Sequence, residues 1–411
     1  MVHNMMLQHY YSPQNKIIEK GLREGMNHKF YMPVQLHFGR GCLDELSETA
    51  LPGKKALIVI TDESWITSQG HLPRIQALLK MAGAESAVFN KVKPNPTKTI
   101  VAEGAKFCRK EQCDMVVAFG GGSSIDTAKS IAVLAVNGGD FWDYVDTGSG
   151  KGLCISKDPL PIIAIPTSAG TGSEADPWVV VTKEETNEKL GFGSPKMFAY
   201  AAFIDAEVMT SVPPKLTAFQ GFDALFHAME GYIADVATPI SDIYALKSIS
   251  LIGKSIIKAV RDGNDIEARE DIALASTCSG VVEAISDCTG NHSISQTMGA
   301  YHDIPHGAAL LATSIEYFKA FEQIIPKRYA EMASAFSGGR YNQPEDMVRL
   351  LIEYEKACGV YGVKLSDYGF TREELPIICD SAFDMQYFMI AHEPKPLTRK
   401  EMLEILEKSY R

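Results

Sequence analysis

Long apolar runs are missing from this chain. The most continuous ones, Asp114 to Phe119 and Pro161 to Ile165, fall far below the ~20 residues that a membrane-spanning helix needs. Runs of lysine and arginine are also missing. Acidic residues outnumber basic ones 51 to 40, for a net charge of −11, and such a surface repels a phosphate backbone, so nucleic-acid binding is not expected. Met1 to Gly25 is polar and lacks the apolar core of an export signal, which predicts a cytoplasmic protein with no membrane association. No C-x-x-C occurs, and Cys108 and Cys113 have the wrong spacing for a zinc knuckle. Eight cysteines spread over 411 residues read as ordinary buried thiols, all structural, rather than as a disulfide framework.

What is present is a globular composition, 45% apolar and 22% charged. At roughly 150 residues per domain the length allows about two or three domains. From Lys54 to about Asp205 short apolar runs alternate with helical stretches. Ala56–Ile60, Asp114–Phe119, Pro161–Ile165 and Val179–Thr182 read as strands, and Ile125–Ala135 as a helix. Continuously apolar strands alternating with helices predict a parallel α/β sheet covered on both faces. After Val212-Pro-Pro214 the texture becomes helical. Ile243, Leu246, Ile249, Ile252, Ile256 and Val260 recur at helical spacing, and Glu267–Val282 and Glu345–Cys358 look similar. The expected division is an N-terminal extension (1–29), an α/β domain (30–211) and an all-helical domain (212–411).

Gly120-Gly121-Gly122-Ser123 lies between a buried strand and a helix. Consecutive glycines let backbone N–H groups share one concavity, and the helix N-terminus adds its positive end, so the loop suits a phosphate. Ser123 or Ser124 can cap that helix. A tight strand–helix turn needs the same glycines, and the pattern is neither G-x-G-x-x-G nor a Walker loop. A second loop strengthens the phosphate reading. Pro166 to Glu174 carries Thr167, Ser168, Thr171 and Ser173 with two glycines after the third strand, where an open α/β sheet places its ligand crevice. Asp62, just past the first strand, suits a ribose hydroxyl and disfavours a 2′-phosphate. A solvated turn aspartate looks the same.

Asp223 and His227 are spaced i, i+4 and share one face of a helix. His292 and His306 supply two further imidazoles, giving three nitrogens and one oxygen, a set suited to Zn2+ or Fe2+. Simple helix pairing of Asp223 with His227 is the alternative. His302 is a spare, either a proton carrier or a surface residue.

Taken together, Phe38-Gly-Arg-Gly41, Pro94-Asn-Pro-Thr97, Gly120 to Asp126, Pro166 to Glu174, Gly221 to Tyr232 and His292 to Gly307 resemble the iron-containing (group III) alcohol dehydrogenases, from about Phe30 to Arg411. The resemblance implies a Rossmann-like dinucleotide domain, a helical metal domain, a cleft site between them, and a homodimer or larger oligomer. It puts the metal on Asp223, His227, His292 and His306, and the pyrophosphate on Gly121, Gly122 and Ser123. The remaining cofactor contacts fall on Thr167, Ser168, Thr171 and Ser173, with Asp62 and Asn95 on the adenosine side and Lys189 toward the ribose. The implied reaction is reversible hydride transfer between NAD and an alcohol or aldehyde, with Fe2+ or Zn2+ as Lewis acid and NADP disfavoured by Asp62. Gln296 departs from the pattern, because the family commonly has a histidine there and glutamine cannot relay a proton. Two other readings share the architecture. One is a dehydroquinate-synthase-like or glycerol-dehydrogenase-like enzyme. The first of these is disfavoured by the lack of Lys or Arg after Lys215 in the helix to Tyr232. The other is a chain that binds metal and nucleotide without turnover.

Overall fold

The computed structural model describes residues 28–61 and 70–411. Its first half alternates strand and helix: β1 (Gln35–Phe38), β2 (Lys55–Thr61), α1 (His71–Met81), β3 (Glu85–Val92), α2 (Lys98–Lys110), β4 (Met115–Gly120), α3 (Gly122–Asn137), β5 (Ile162–Pro166), β6 (Trp178–Lys183), β7 (Glu188–Gly193) and β8 (Ala201–Ile204). Six strands form one sheet in the order β1-β8-β5-β4-β2-β3, with every neighbouring pair parallel. The apolar runs of β2, β4 and β5 are buried throughout, because crossover helices cover both faces of a parallel sheet.

One expected strand belongs elsewhere. Val179–Thr182, read as part of the parallel sheet, lies in β6 and pairs antiparallel with β7. The connection from Glu184 to Asn187 closes on Asn187 at φ 51°, a hairpin link far too short for a parallel crossover.

The second half is helical: α4 (Pro214–Ile233), α5 (Pro239–Arg261), α6 (Ile266–Ser286), α7 (Gly290–His302), α8 (His306–Lys319), α9 (Pro326–Ser337), α10 (Pro344–Ala357), α11 (Leu375–Ala391) and α12 (Arg399–Ser409). Proline in the first turn starts α4, α5, α9 and α10, where its missing N–H costs nothing. In α5 the expected stripe buries Ile249, Ile252 and Ile256, but Ile243 points outward at 68% exposure. Buried apolar side chains run without a break from the sheet into α4–α11. The change of architecture between Ile204 and Pro214 is therefore not a gap in the core. Residues 1–27 of the expected extension and Asp62 lie outside the described residues. No described helix is long and apolar enough to cross a membrane. All eight cysteines are free thiols, and seven are buried. Cys154, expected to be buried, is exposed.

Candidate active site

α4 is buried on all sides from Gly221 to Ile233, so any polar residue there must find a partner inside the protein. Three do so on one face: Asp223, His227 and, one turn further, Glu230. Glu230 Oε2 accepts from Thr289 N at 2.9 Å and Thr289 Oγ1 at 3.0 Å. Its Oε1 lies 2.8 Å from His292 Nδ1. Glu230 thus ties the turn between α6 and α7 to the helix that bears Asp223. A carboxylate at that distance keeps a proton on Nδ1 of His292, so Nε2 is the nitrogen a metal would take, in exchange for its proton. His306 arrives from the other direction, at the start of α8. Gly307 follows it because a Cβ there would meet Phe219 O of α4 at 2.5 Å.

Three imidazoles converge on one oxygen. Asp223 Oδ1 lies 3.5 Å from His227 Nδ1, 3.6 Å from His292 Nε2 and 3.4 Å from His306 Nε2. Donors bound at ~2.0–2.1 Å around a tetrahedral ion lie ~3.3 Å apart, so the spacing fits a small divalent cation. Asp223 Oδ1, His227 Nδ1 and His292 Nε2 are buried and have no hydrogen-bond partner among the described residues. Each such atom costs roughly 1–3 kcal/mol, and an ion at their centre removes that cost for all three. Of the four side chains only His306 has appreciable exposure, 25% against 6% or less for the others. The site therefore opens on the His306 side.

The electrostatics divide the three rings. Burial, reinforced by the His292 charge, pushes His227 down to about 3, and burial lowers His306. Burial also opposes charge on Asp223, yet the His227 and His306 rings hold its carboxyl well below the usual range. His292 goes the other way. Burial disfavours its charge, but Glu230 and Asp223 outweigh burial and raise it to about 10.

The two glycine-bearing loops lie beside this cluster. β4 and β5 are neighbours, with Gly120 opposite Pro166, and Thr167 N donates to Gly120 O at 3.0 Å. α3 begins with Gly121 at its N-cap and no side-chain cap. Ser123 and Ser124, read as candidate caps, sit inside the helix; Ser124 N donates to Gly121 O at 2.9 Å, and the N–H groups ahead of it stay available to an anion. Gly121, Gly122, Ser123, Ser168 and Thr171 are all partly exposed, and a Cβ on Gly121 would lie 2.6 Å from Ser168 Oγ. Thr167 and Ser173 are buried. Ser173 Oγ donates to Asp126 at 2.8 Å and accepts from Lys129 Nζ at 3.0 Å. Its hydroxyl thus braces the loop from within. The same loop reaches the Asp223 cluster, since a Cβ on Gly170 would stand 3.1 Å from Asp223 Oδ2.

Lys189 Nζ donates to Asn95 Oδ1 at 2.7 Å, and Asn95 Nδ2 donates to Asp303. This chain of polar groups links β7, the β3–α2 loop and the α7–α8 turn. Burial pushes Lys189 down to about 8, against the pull of Asp303, Asp126 and Asp223. Gln296 lies one turn after His292, buried, with its Oε1 unpartnered among the described residues. His302 is turned to Glu374, 2.9 Å from Nε2, with its ring against Phe370. The structure therefore gathers Asp223, His227, His292 and His306 at one point and leaves His302 engaged elsewhere.

Sequence reasoning missed Glu230, whose place three residues after His227 on the same helix face was the available signal. It also missed Lys129, which is fully buried against Asp176 at 3.1 Å. A lysine in a helix ordinarily reads as exposed.

Residues 33–206 match the family described as iron-containing alcohol dehydrogenase, and residues 217–410 match the C-terminal part of the Fe-containing alcohol dehydrogenase family. The chain is 39% identical over 315 residues to a choline dehydrogenase of Bacillus subtilis (strain 168), covering 75% of this chain and 76% of that one. It is 32% identical over 368 residues to an NAD-dependent methanol dehydrogenase of Bacillus methanolicus, covering 86% and 93%. An archaeal halo-thermophilic alcohol dehydrogenase from a Red Sea brine pool has the same fold, with TM-score 0.88 at 32% identity over 94% of this chain and 99% of that one. The chain belongs to the iron-containing alcohol dehydrogenase family.

Proposed function

We propose that this protein is a metal-dependent, NAD-dependent alcohol dehydrogenase that interconverts a small alcohol with its aldehyde or ketone. The observation that carries the reading is the convergence of three imidazole nitrogens on Asp223 Oδ1 at 3.4–3.6 Å, beside an uncapped helix N-terminus at Gly121. In this reading Asp223, His227, His292 and His306 hold Fe2+ or Zn2+. When bound, the ion supplies a Lewis acid for the substrate oxygen, and the dinucleotide supplies the hydride carrier.

The chain's own residues orient the partners and exclude water. The N–H groups around Gly121, Gly122 and Ser123 hold the pyrophosphate, with Ser168 and Thr171 facing the same surface. Thr167 and Ser173 keep that loop in place from below. Lys189, steered by Asn95, faces the ribose, and the charge of Asp62, which the family resemblance assigns to the adenosine, favours NAD over NADP. Substrate enters on the exposed His306 side. Gln296 cannot titrate, so the alcohol proton leaves through water or a ribose hydroxyl. The reading includes cytoplasmic residence and a homodimer or larger assembly, both taken from the family resemblance. Light scattering of the purified protein tests the assembly.

A panel of alcohols with NAD, and of aldehydes with NADH, followed by NADH absorbance, tests the activity. Turnover of at least one pair is expected. Nucleotide and metal binding without turnover on the whole panel would contradict the reading.

A further inference from the structure

The thiol of Cys288 belongs to this centre, and the reading above gives it nothing to do. Cys288 stands in the turn between α6 and α7, 1% exposed, four residues before His292. Its Sγ, a ring nitrogen of His227 and a ring nitrogen of His292 all lie within 4.8 Å of one another. The turn is held in place. Asp287 Oδ1 accepts from Cys288 N at 2.7 Å, and the next residue, Thr289, is fixed by Glu230 at 2.9 and 3.0 Å. The carboxylate that orients His292 therefore also anchors the turn that carries the thiol.

A second observation points to a ligand. His227 and His292 are 4% and 1% exposed, and His227 Nδ1 and His292 Nε2 have no hydrogen-bond partner among the described residues. Asp223, His292 and His306 form another triad of donors within the same span, so His292 is common to both triads. Its Nδ1 is committed to Glu230 at 2.8 Å, which leaves Nε2 as its one ligand nitrogen. One lone pair serves one ion, so the two triads are alternative positions for a single metal.

We propose that Cys288 is a metal donor: a thiophilic divalent ion such as Zn2+ is held by His227, His292 and the Cys288 thiolate, as an alternative to the position built on Asp223 and His306. The proposal rests on the metal reading of the preceding section. Two nitrogens and a thiolate form a softer set than three nitrogens and a carboxylate, and soft sulfur selects zinc over harder ions. Binding exchanges the S–H bond for a metal–sulfur bond and releases one proton to solvent. Tetrahedral bonds of ~2.1 Å to nitrogen and ~2.3 Å to sulfur place the donors ~3.5 Å apart, so side-chain movements of about 1 Å close the triad. A ferrous ion then keeps to Asp223 and His306 on the open side, and zinc is drawn inward.

X-ray absorption on the Zn2+-loaded full-length protein reads the donor set directly. One sulfur scatterer per zinc at ~2.3 Å, with nitrogen or oxygen at ~2.0–2.1 Å, is expected. In the Co2+-loaded protein a near-ultraviolet thiolate-to-cobalt absorption band is expected, lost in both Cys288→Ala and Cys288→Ser and retained in Cys154→Ser. A wild-type spectrum with only nitrogen and oxygen around zinc overturns the proposal and leaves the metal reading intact. So does a cobalt band that survives both Cys288 variants. Failure of the chain to take up any divalent ion overturns the metal reading itself. The wild-type measurement decides the question even if the variants do not fold.

Discussion

Replacing Glu230 with glutamine changes one atom of the centre, and its consequence follows from the hydrogen bonds. The carboxylate accepts on both sides, from Thr289 on Oε2 and from His292 Nδ1 at 2.8 Å on Oε1. A glutamine has one oxygen, so one side must face an amide NH2. If the NH2 faces His292, Nδ1 has to become the acceptor and the ring proton moves to Nε2, the nitrogen aimed at Asp223. Loss of such a carboxylate–histidine partner weakens metal binding by ~10–100-fold, or about 1.4–2.7 kcal/mol. If the NH2 faces Thr289 instead, a buried backbone donor is stranded at roughly 1–3 kcal/mol of folding stability. Glutamine preserves the volume, so cavity formation does not enter. Competition of the purified variant against a chelator of known affinity measures the first effect, and thermal unfolding of the metal-free protein measures the second. A variant unchanged in both would refute the role assigned to Glu230.

Gly280→Ala puts a Cβ 2.0 Å from Gly172 O, backbone that cannot swing aside, so stability should fall by about 1–3 kcal/mol and KM for NAD should rise more than kcat falls; an unchanged KM argues against the loop's role. Buried Glu355 is pushed up to about 8 by burial, against Ser314 and Arg411. Its folded pKa exceeds the unfolded value, so its contribution is full at low pH and is lost as pH rises through about 8. Thermal unfolding from about pH 5 to about pH 8 should lose stability less steeply in Glu355→Gln than in wild type. His302→Ala should leave the pH profile of turnover unchanged, because Glu374 already holds Nε2 at 2.9 Å; a shifted profile would make His302 a proton carrier. Catalytic efficiency with NAD should exceed that with NADP, and equal values would remove the inference from Asp62.

Helical periodicity made the core of the site readable. An i, i+4 pair on a helix must share a face, so Asp223 and His227 were joined before any contact was known. The step from apolar strand to glycine run to helix likewise placed β4, Gly121 and α3. What stayed hidden depends on partners distant in the chain. Val179–Thr182 was recognisable as a strand, but only the hairpin to β7 decides its neighbour. β1 and β8 are four residues each, too short for a pattern to show. Gly121 took the cap that Ser123 or Ser124 was expected to provide, since the turn needs an extended residue without a side chain over Ser168. Glu230 and Lys129 look like surface charges until the α6–α7 turn and Asp176 are brought against them. The structural assignment of all eight cysteines rested on their number and spacing in the chain. Cys288 meets His227 only through the packing of α6 and α7 on α4.

The central claim is that Asp223, His227, His292 and His306 hold an ion on which alcohol oxidation depends. Its most direct test is NAD-dependent turnover of an accepted alcohol by protein stripped of metal by a chelator, then reloaded stepwise with Fe2+ or Zn2+ while bound metal is measured. Activity should vanish on stripping and return in proportion to one ion per chain, and Asp223→Ala should neither bind the ion nor recover. Full activity in protein shown to be metal-free would contradict the account.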